Sequence, residues 1–470
     1  MPQKYGLKLS ILYGTIWCLV LLDISILNTA LPTIANYFGY LTTQSEWVII
    51  GFMLSLILSM SAGSWLCDRF GTKKIFVLAQ IGYIISSLLC GISSSLNLLI
   101  LANCIRGLSG GLMGPSGLTM FMRKVPQLTR LKHVLRINIV TLVVPAIGPI
   151  FSSYILDVFG WRYVFLLKMP IFILTAILSI IWLKETTFFY KKKFDLTGFL
   201  FAAMSLTCLL LAFSIIGESE TQLVSILALF SLFGLFAFWF LKQELTNQNP
   251  LINFSIFESK LFILGSVIQF FAGAIFFGLT FATNLYLQRA LKFDIITTGW
   301  TLASVAPGII LALPISYLFT KFFTTRISVI LNLSVLFVSI IALCFITPET
   351  SLFILTIILF FQGLSFTSCI LITNKVPYFA DIKPELMSSA STISQLVRLL
   401  AAILGISISS MILTMTLYIF KINNLVETNF AVSRFPFIIT FLLFASILLY
   451  AAFVITKLSS MHNFNPKSDS

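Results

Sequence analysis

An aspartate stands within an apolar segment near the start of this 470-residue chain. Asp23 belongs to the stretch 21–34, LLDISILNTALPTI, and no other long apolar segment carries a carboxylate in its middle. On insertion scales an acidic side chain inside a membrane helix costs roughly 2.5–3.5 kcal/mol, so such groups usually serve a function. Asp23 therefore predicts a site that takes up a proton or a cation within a membrane. The alternative is a hydrogen-bond anchor between helices.

Arg106 is the basic residue that matches Asp23 in depth. It lies in the stretch 101–116, LANCIRGLSGGLMGPS, where glycines would let helices or a ligand approach closely. Each of the two residues stands eight positions from the outer end of its predicted span, which is about 12 Å along a helix. The two side chains can therefore pair, directly or through water. The pair would either break and re-form during proton exchange or be a permanent structural ion pair.

Two further cations, Lys168 and Arg398, stand within apolar segments. Lys168 lies about 9 Å from the outer end of its span, so its side chain is expected to extend to the interface, and local pairing is the alternative. Arg398 precedes the small-residue stretch LLAAILGIS and is expected to face the interior of a helix bundle. Pro145 and Pro149 flank Gly148, which predicts a bend in the fifth span or, alternatively, simple packing.

The stretch 64–74, SWLCDRFGTKK, joins the second and third apolar segments. Asp68 and Arg69 stand where the second segment ends, and Gly71 permits a turn with positive φ. Lys73 begins the third segment, and Asp68 can cap a helix N-terminus or pair with an arginine. These four residues predict a gate at the inner face of the membrane. The alternative is that their charges only orient the chain.

The composition places these residues in a membrane protein. The chain is 58% hydrophobic and 10% charged, with a mean hydropathy of +1.03, whereas a soluble chain is about 25% charged. Apolar runs of about twenty residues predict membrane-spanning helices. We therefore predict an all-α membrane protein with 14 transmembrane helices. The spans are expected near 9–31, 45–67, 75–95, 98–122, 137–156, 162–183, 196–216, 223–241, 261–286, 298–319, 327–347, 351–374, 389–416 and 435–456.

The distribution of lysine and arginine predicts the orientation and the domains. With the N-terminus inside, the inner segments hold 22 of the 30 Lys and Arg residues, the outer loops hold five and the spans hold three. Such a bias places both termini in the cytoplasm. A weak sequence similarity between SWLCDRFGTKK and SYLFTKFFTTR suggests two related halves. We predict two six-helix bundles, residues 1–190 and 261–470, with two linker helices inserted in 191–260.

Several other functions are not expected from this sequence. The net charge of +14 is spread over short loops, so nucleic acid is not an expected partner. The phosphate-binding pattern GxxxxGK[ST] is missing, and two histidines, at 133 and 462, do not predict a metal site. The seven cysteines form no CxxC pair. No metal, cofactor or enzymatic activity is therefore expected.

Taken in order, these motifs resemble those of the major facilitator superfamily, and specifically the fourteen-helix drug:proton antiporters of the EmrB/QacA type. LLDISILNTALPTI resembles the first-helix motif of that group, and DRFGTKK and RGLSGGLMGPS resemble its loop motif and fourth-helix arginine motif. GPIFSSYILDVFGWRYVFLLKMP resembles the antiporter motif followed by the signature GWRWxFxxNxP. The resemblance covers nearly the whole chain. The family pattern is altered at Ser64, Ser109, Ser152, Ser153, Lys168 (usually Asn) and Thr320.

The resemblance implies a transporter in the bacterial inner (plasma) membrane that exports amphipathic small molecules in exchange for protons. Asp23 and Arg106 would carry proton coupling, Gly148 and Pro149 would form the antiporter bend, and the four loop residues would form the inner gate. The partners would be a small-molecule substrate, protons, the lipid bilayer and, in a tripartite pump, a periplasmic adaptor.

The charges within the spans bear on the substrate. Away from the ends of the spans they comprise three cations and one anion, so neutral or weakly acidic substrates are expected. Two other functions compete with multidrug efflux: export of an endogenous metabolite such as a siderophore, and a membrane receptor that transports nothing.

Overall fold

Within its described residues, the protein consists of helices and the turns that join some of them. The computed structural model describes residues 2–40, 44–124, 144, 146–185, 194–216, 223–247, 254–375, 387–420 and 430–459, which leaves out Pro145 and both histidines. The helices are α1 (Pro2–Phe38), α2 (Trp47–Phe70), α3 (Thr72–Gly91), α4 (Leu96–Lys124), α5 (Ala146–Val158), α6 (Tyr163–Leu166), α7 (Met169–Trp182), α8 (Leu196–Ile215), α9 (Leu223–Thr246), α10 (Lys260–Leu285), α11 (Ile295–Ala303), α12 (Val305–Phe322), α13 (Thr325–Leu343), α14 (Leu352–Lys375), α15 (Met387–Ile419) and α16 (Phe430–Ser459).

Many of these helices are suited to a membrane. Within the described residues, 11 helical stretches are long and apolar enough to cross a bilayer. Three shorter apolar helices cover Trp47–Gly63, Ala146–Val158 and Ile327–Leu343, where the second, fifth and eleventh spans are predicted. The chain is therefore an all-helical, multi-pass membrane protein, and the fourteen-span topology stays a prediction.

The chain divides into two compact units. The first comprises Met1–Ala212 and Val224–Leu251, and the second comprises Phe213–Leu223 and Ile252–Ser470. Most of α8 and nearly all of α9 thus group with the first unit. The predicted division into 1–190, 191–260 and 261–470 remains a prediction.

Glycines bring α4 against α2 in the first unit. A Cβ atom on Gly107 would lie 2.2 Å from the carbonyl oxygen of Phe52, and one on Gly111 would lie 2.2 Å from that of Leu56. Real Cβ atoms essentially never come within 3.0 Å of another heavy atom. The spacing of four residues puts both glycines on one face of α4. This close packing sets the position of α4, and with it the position of Arg106.

The helix α5 packs closely against α1 in the same unit. A Cβ atom on Gly148 would lie 2.8 Å from Oγ of Ser25. The hydroxyl of Ser152 donates a hydrogen bond to the carbonyl oxygen of Ile26 at 3.1 Å. These contacts hold α5 beside the part of α1 that carries Asp23.

The second unit contains the same two kinds of helix contact. A Cβ atom on Gly308 of α12 would lie 2.1 Å from the carbonyl oxygen of Phe360 in α14. A Cβ atom on Gly405 of α15 would lie 2.1 Å from the carbonyl oxygen of Ala274 in α10. In each unit, a glycine thus lets the second long helix pack closely against the fourth. Another glycine lets the first long helix pack closely against the fifth. This correspondence supports the predicted relationship between the two halves.

Candidate functional site

Asp23 and Arg106 meet inside the first unit. Both side chains are fully buried, and Nη2 of Arg106 lies 3.6 Å from Oδ1 of Asp23. The guanidinium is surrounded by the rings of Phe52, Tyr83 and Phe165, at 5.1, 5.5 and 4.8 Å from their centroids. A desolvated cation–π contact is worth about 2 kcal/mol, so the three rings help to hold the cation away from water. The structure therefore contains the ion pair that the matching depths suggest.

Lys168 joins this pair from the turn between α6 and α7. It directly precedes α7, and its ammonium contacts Oδ1 of Asp23, the same oxygen that faces Arg106. Lys168 is only 7% exposed. The expectation that its side chain extends to the membrane interface is therefore wrong, because the ammonium is paired with a carboxylate inside the unit. We call Asp23, Arg106 and Lys168 the charge triad.

The charge triad is unbalanced in both charge and hydrogen bonding. With all three groups ionised, it has two positive charges and one negative charge. A guanidinium has five N–H donors and an ammonium has three, whereas a carboxylate offers only two oxygens. Among the described residues, the guanidinium nitrogens of Arg106 have no hydrogen-bond acceptor. An arrangement of this kind can exchange a proton or hold an anionic group.

The residues of the predicted bend lie beside α1. Gly148 packs against Ser25, as described above, and Pro149 is buried in α5. Proline lacks the N–H that would bond to the preceding helical turn. The backbone of α5 therefore lacks one hydrogen-bond donor next to the residue that touches α1.

The loop between α2 and α3 is held by Glu185, which the sequence pattern did not reveal. Gly71 has a φ of +97°, as the sequence predicts, and separates the two helices. The carboxylate of Glu185 accepts hydrogen bonds from the backbone N–H groups of Lys73 at 3.0 Å and Lys74 at 3.2 Å. The ammonium of Lys73 donates to the carbonyl oxygen of Ile180 at 2.7 Å. The loop is thus tied to the end of α7.

The other two loop residues lie at the end of α2. Arg69 is exposed, and its guanidinium lies over the rings of Trp65 and Phe70 at 5.2 and 5.6 Å. Asp68 is half-buried and interacts with other groups of the protein. Because the first N–H groups of α3 bond to Glu185, a residue 112 positions from Lys73 caps this helix.

Replacing Glu185 by alanine is expected to destabilise the first unit by about 1 kcal/mol, the usual effect of losing a helix cap. The first-turn N–H groups of α3 would lose their acceptor, and the favourable charge at the helix N-terminus would vanish. Thermal melting of the purified protein in detergent measures this loss. Glu185→Gln keeps an acceptor oxygen and should lose less. An unchanged melting temperature for Glu185→Ala would contradict the capping role.

The second unit has a neutral residue where the first has Arg106. Gln362 precedes Gly363 in α14 as Arg106 precedes Gly107 in α4, and the letters QGLS and RGLS mark the two places. Gln362 is 3% exposed. Arg398 is half-buried in α15 and belongs to this second unit.

An aromatic cluster contains Phe366, which follows Gln362 in α14. The ring of Phe276 stacks on that of Phe366 with centroids 4.0 Å apart, and Phe277 meets Phe366 edge to face at 6.1 Å. Ala272 and Ile370 complete this cluster. From sequence, Phe276 and Phe277 are expected to face lipid, and a substrate pocket is the alternative. The structure packs them against a buried ring of α14.

Glu244 is another buried carboxylate of the first unit, as are Glu46 and Asp195. The sequence predicts that the eighth span ends at 241, but α9 continues to Thr246 and Glu244 is only 2% exposed. A Cβ atom on Gly198 would lie 3.0 Å from Oε1 of Glu244 and 2.5 Å from Oδ2 of Asp195. Asp195 caps α8 by accepting a hydrogen bond from the N–H of Gly198 at 2.9 Å. The side-chain amide of Gln243 in α9 donates a hydrogen bond to Oδ1 of Asp195 at 3.2 Å, which holds α8 and α9 together at this end.

Known proteins resemble this chain over most of its length. The sequence profile described as Major Facilitator Superfamily matches residues 15–406. The "Putative multidrug resistance protein MdtD" of Escherichia coli O6:K15:H31 (strain 536 / UPEC) is 28% identical over 449 residues, covering 93% of this chain and 91% of that protein. The protein of the same name from Shigella sonnei (strain Ss046) is 29% identical over 405 residues, covering 83% of each chain.

Solved structures share the fold. A bacterial homolog of the human lysosomal transporter Spinster, in an inward-facing and unoccupied conformation, matches with a TM-score of 0.67 and 16% identity, covering 98% of this chain and 99% of that one. A D-xylose-proton symporter matches with a TM-score of 0.65 and 12% identity, covering 97% and 98%. These structural matches concern the fold alone. Because the family profile covers well over half of the chain, this protein is a membrane transporter that belongs to the Major Facilitator Superfamily.

Proposed function

We propose that this protein is a proton-coupled efflux transporter of the fourteen-helix EmrB/QacA type, which exports amphipathic small molecules from a bacterial cell. Relatives named as multidrug resistance proteins support this class of substrate. The transporter would lie in the inner (plasma) membrane with both termini cytoplasmic, as the excess of Lys and Arg in alternate loops indicates. Two six-helix bundles, 1–190 and 261–470, would flank the linker helices of 191–260.

The charge triad is the observation that carries this proposal. A carboxylate inside a membrane helix usually serves a function. Asp23 is fully buried against both Arg106 and Lys168. Uptake or release of one proton changes the attraction within such a group and can favour one conformation over another. One charge moving down 100 mV supplies roughly 2.3 kcal/mol, which corresponds to about a fifty-fold concentration gradient. One exchanging group per cycle would therefore support useful export.

Two neighbouring features would convert proton exchange into movement. Gly148 and Pro149 place a backbone with one fewer hydrogen-bond donor against the helix of Asp23, and we assign the antiporter bend to them. Asp68, Arg69, Gly71 and Lys73 would form the inner gate. Glu185 would act with that gate, since its hydrogen bonds join the gate loop to α7.

The substrates are proposed to be neutral or weakly acidic and hydrophobic. Three cations, Arg106, Lys168 and Arg398, lie within apolar helical segments, whereas Asp23 is the carboxylate in the middle of one. A cationic drug would gain little from such a charge balance. The cluster of Phe276, Phe277 and Phe366 offers rings that accept many apolar shapes.

Proteoliposomes with an imposed pH gradient test this proposal. A panel would contain neutral hydrophobic compounds, weak acids and the cation ethidium. We expect gradient-driven export of neutral or acidic members that exceeds export of ethidium. Strong ethidium export that Asp23→Asn blocks would overturn the substrate class, and no gradient-driven export of any compound would overturn the proton-coupled function. Since proteoliposomes contain no periplasmic adaptor, export there also decides whether the chain needs a tripartite pump.

A further inference from the structure

The charge triad has two routes for exchanging one proton. With Asp23 ionised and both bases protonated, its net charge is +1. Loss of a proton from Lys168 changes this charge to 0, whereas uptake of a proton by Asp23 changes it to +2. Arg106 stays charged throughout, because a guanidinium is not deprotonated in proteins.

Burial favours the first route. Asp23 and Arg106 are fully buried, and Lys168 is 7% exposed. An uncompensated charge away from water is very costly, and removing one partner of a buried ion pair is strongly destabilising. A protonated Asp23 would leave two cations beside each other without a counterion. A neutral Lys168 leaves one cation beside one anion.

The other ionisable groups around the triad do not supply a counterion. Helix α3 contributes Tyr83, whose ring lies under Arg106, and Cys90, which is close enough to interact with the charges of Asp23 and Arg106. Helix α4 contributes Cys104, which is half-buried. Thiols and phenols ordinarily titrate well above neutral pH. Among the described residues, Asp23 is therefore the one anion of this site.

We propose that Lys168, rather than Asp23, releases and takes up the coupled proton, while Asp23 and Arg106 remain an ion pair that holds it in place. This inference rests on the proposed proton-coupled function and deepens it. In one half of the cycle the ammonium gives a proton to water and keeps its electron pair as a neutral amine. In the other half the amine takes a proton from water. The neutral amine still has N–H groups that can donate to Asp23, so the contact survives in both states.

Two substitutions of Lys168 separate this proposal from coupling by Asp23. Lys168→Arg keeps the positive charge but provides a group that cannot release its proton. Lys168→Asn removes the amine and leaves Asp23 as the group that can exchange a proton. Lys8→Arg is the matched control, because it makes the same chemical change at an exposed lysine of the same unit, over the ring of Trp182.

The transport assay compares two rates in proteoliposomes with the compound that wild type exports best. One rate is export driven by a pH gradient, and the other is substrate exchange with no gradient. We expect Lys168→Arg to lower the ratio of driven export to exchange at least ten-fold, and Lys8→Arg to leave this ratio as in wild type. A wild-type ratio in Lys168→Arg would overturn the role of Lys168. Failure of wild type to export anything with the gradient would instead overturn the proposed function.

A second measurement does not depend on Lys168→Arg being well folded. Substrate is added to wild type and to Lys168→Asn in weakly buffered detergent, and proton release is followed with a pH dye. The proposal predicts that substrate no longer triggers proton release in Lys168→Asn, because the amine is absent and Asp23 stays ionised beside Arg106. Substrate binding in the same samples shows that the variant is folded. Proton release from Lys168→Asn in the wild-type amount would overturn the proposal.

Discussion

Replacing Asp23 by asparagine is expected to reduce gradient-driven export to the level of protein-free liposomes. The carboxylate is the counterion of both Arg106 and Lys168, so its loss leaves two buried cations facing each other. Removing one partner of a buried ion pair costs about 3–5 kcal/mol, so a large drop in thermal stability should accompany the loss of transport. Melting in detergent and export from proteoliposomes measure the two effects separately.

The double variant Asp23→Asn/Lys168→Asn is the matched control for that result. It removes one of the two uncompensated cations, so it should regain part of the melting temperature that Asp23→Asn loses. Export should stay absent, because both groups of the charge triad that can exchange a proton are gone. A single Asp23→Asn variant that melts and exports like wild type would contradict the central role of the charge triad.

The second large effect is expected from Gly107→Ala. Its Cβ atom would lie 2.2 Å from the carbonyl oxygen of Phe52, and this backbone atom cannot move without shifting α2. Overpacking of a tight core typically costs 1–3 kcal/mol. Because α4 also carries Arg106, a shift of the helix would weaken the contact with Asp23 as well. The yield of monodisperse protein and its melting temperature in detergent should both fall.

Gly234→Ala is the control for helix packing. Gly234 lies in α9, and a Cβ atom there would meet nothing within 4 Å. Alanine is about 1 kcal/mol more favourable than glycine in a helix interior, so this variant should melt at or above the wild-type temperature. Gly308→Ala, which would place a Cβ atom 2.1 Å from the carbonyl oxygen of Phe360, should behave like Gly107→Ala. Equal stability of Gly107→Ala and Gly234→Ala would show that the close packing is not required.

The pairing of Asp23 with Arg106 could be predicted because it depends on depth along a helix, which follows from sequence position. A charged residue is conspicuous in an apolar segment, and a rise of 1.5 Å per residue converts sequence position into depth. The position of Lys168 could not be predicted in this way, because depth says nothing about which way a side chain points around the helix axis. A lysine near a helix end can extend to the interface or turn inward, and only the turn between α6 and α7 decided between these two.

The contacts of Glu185 and Glu244 are two further features that could not be predicted from the sequence. The capping contact of Glu185 joins residues 112 positions apart, and no local pattern marks such a partner. The burial of Glu244 depends on how far α9 extends and on its packing beside Gly198. Gln362 is different, since the repeated letters QGLS and RGLS already carried the signal that the second unit lacks a cation at this place.

The sequence alone determined that this chain is a helical membrane protein with a carboxylate and three cations in apolar segments, because composition and run length decide what lipid accepts. It also determined that Asp23 and Arg106 lie at one depth. Only the tertiary structure decided that Lys168 shares an oxygen of Asp23 with Arg106, because the direction of a side chain depends on how helices pack. That contact gives the site its excess positive charge and makes Lys168 the group on which proton exchange is proposed to depend.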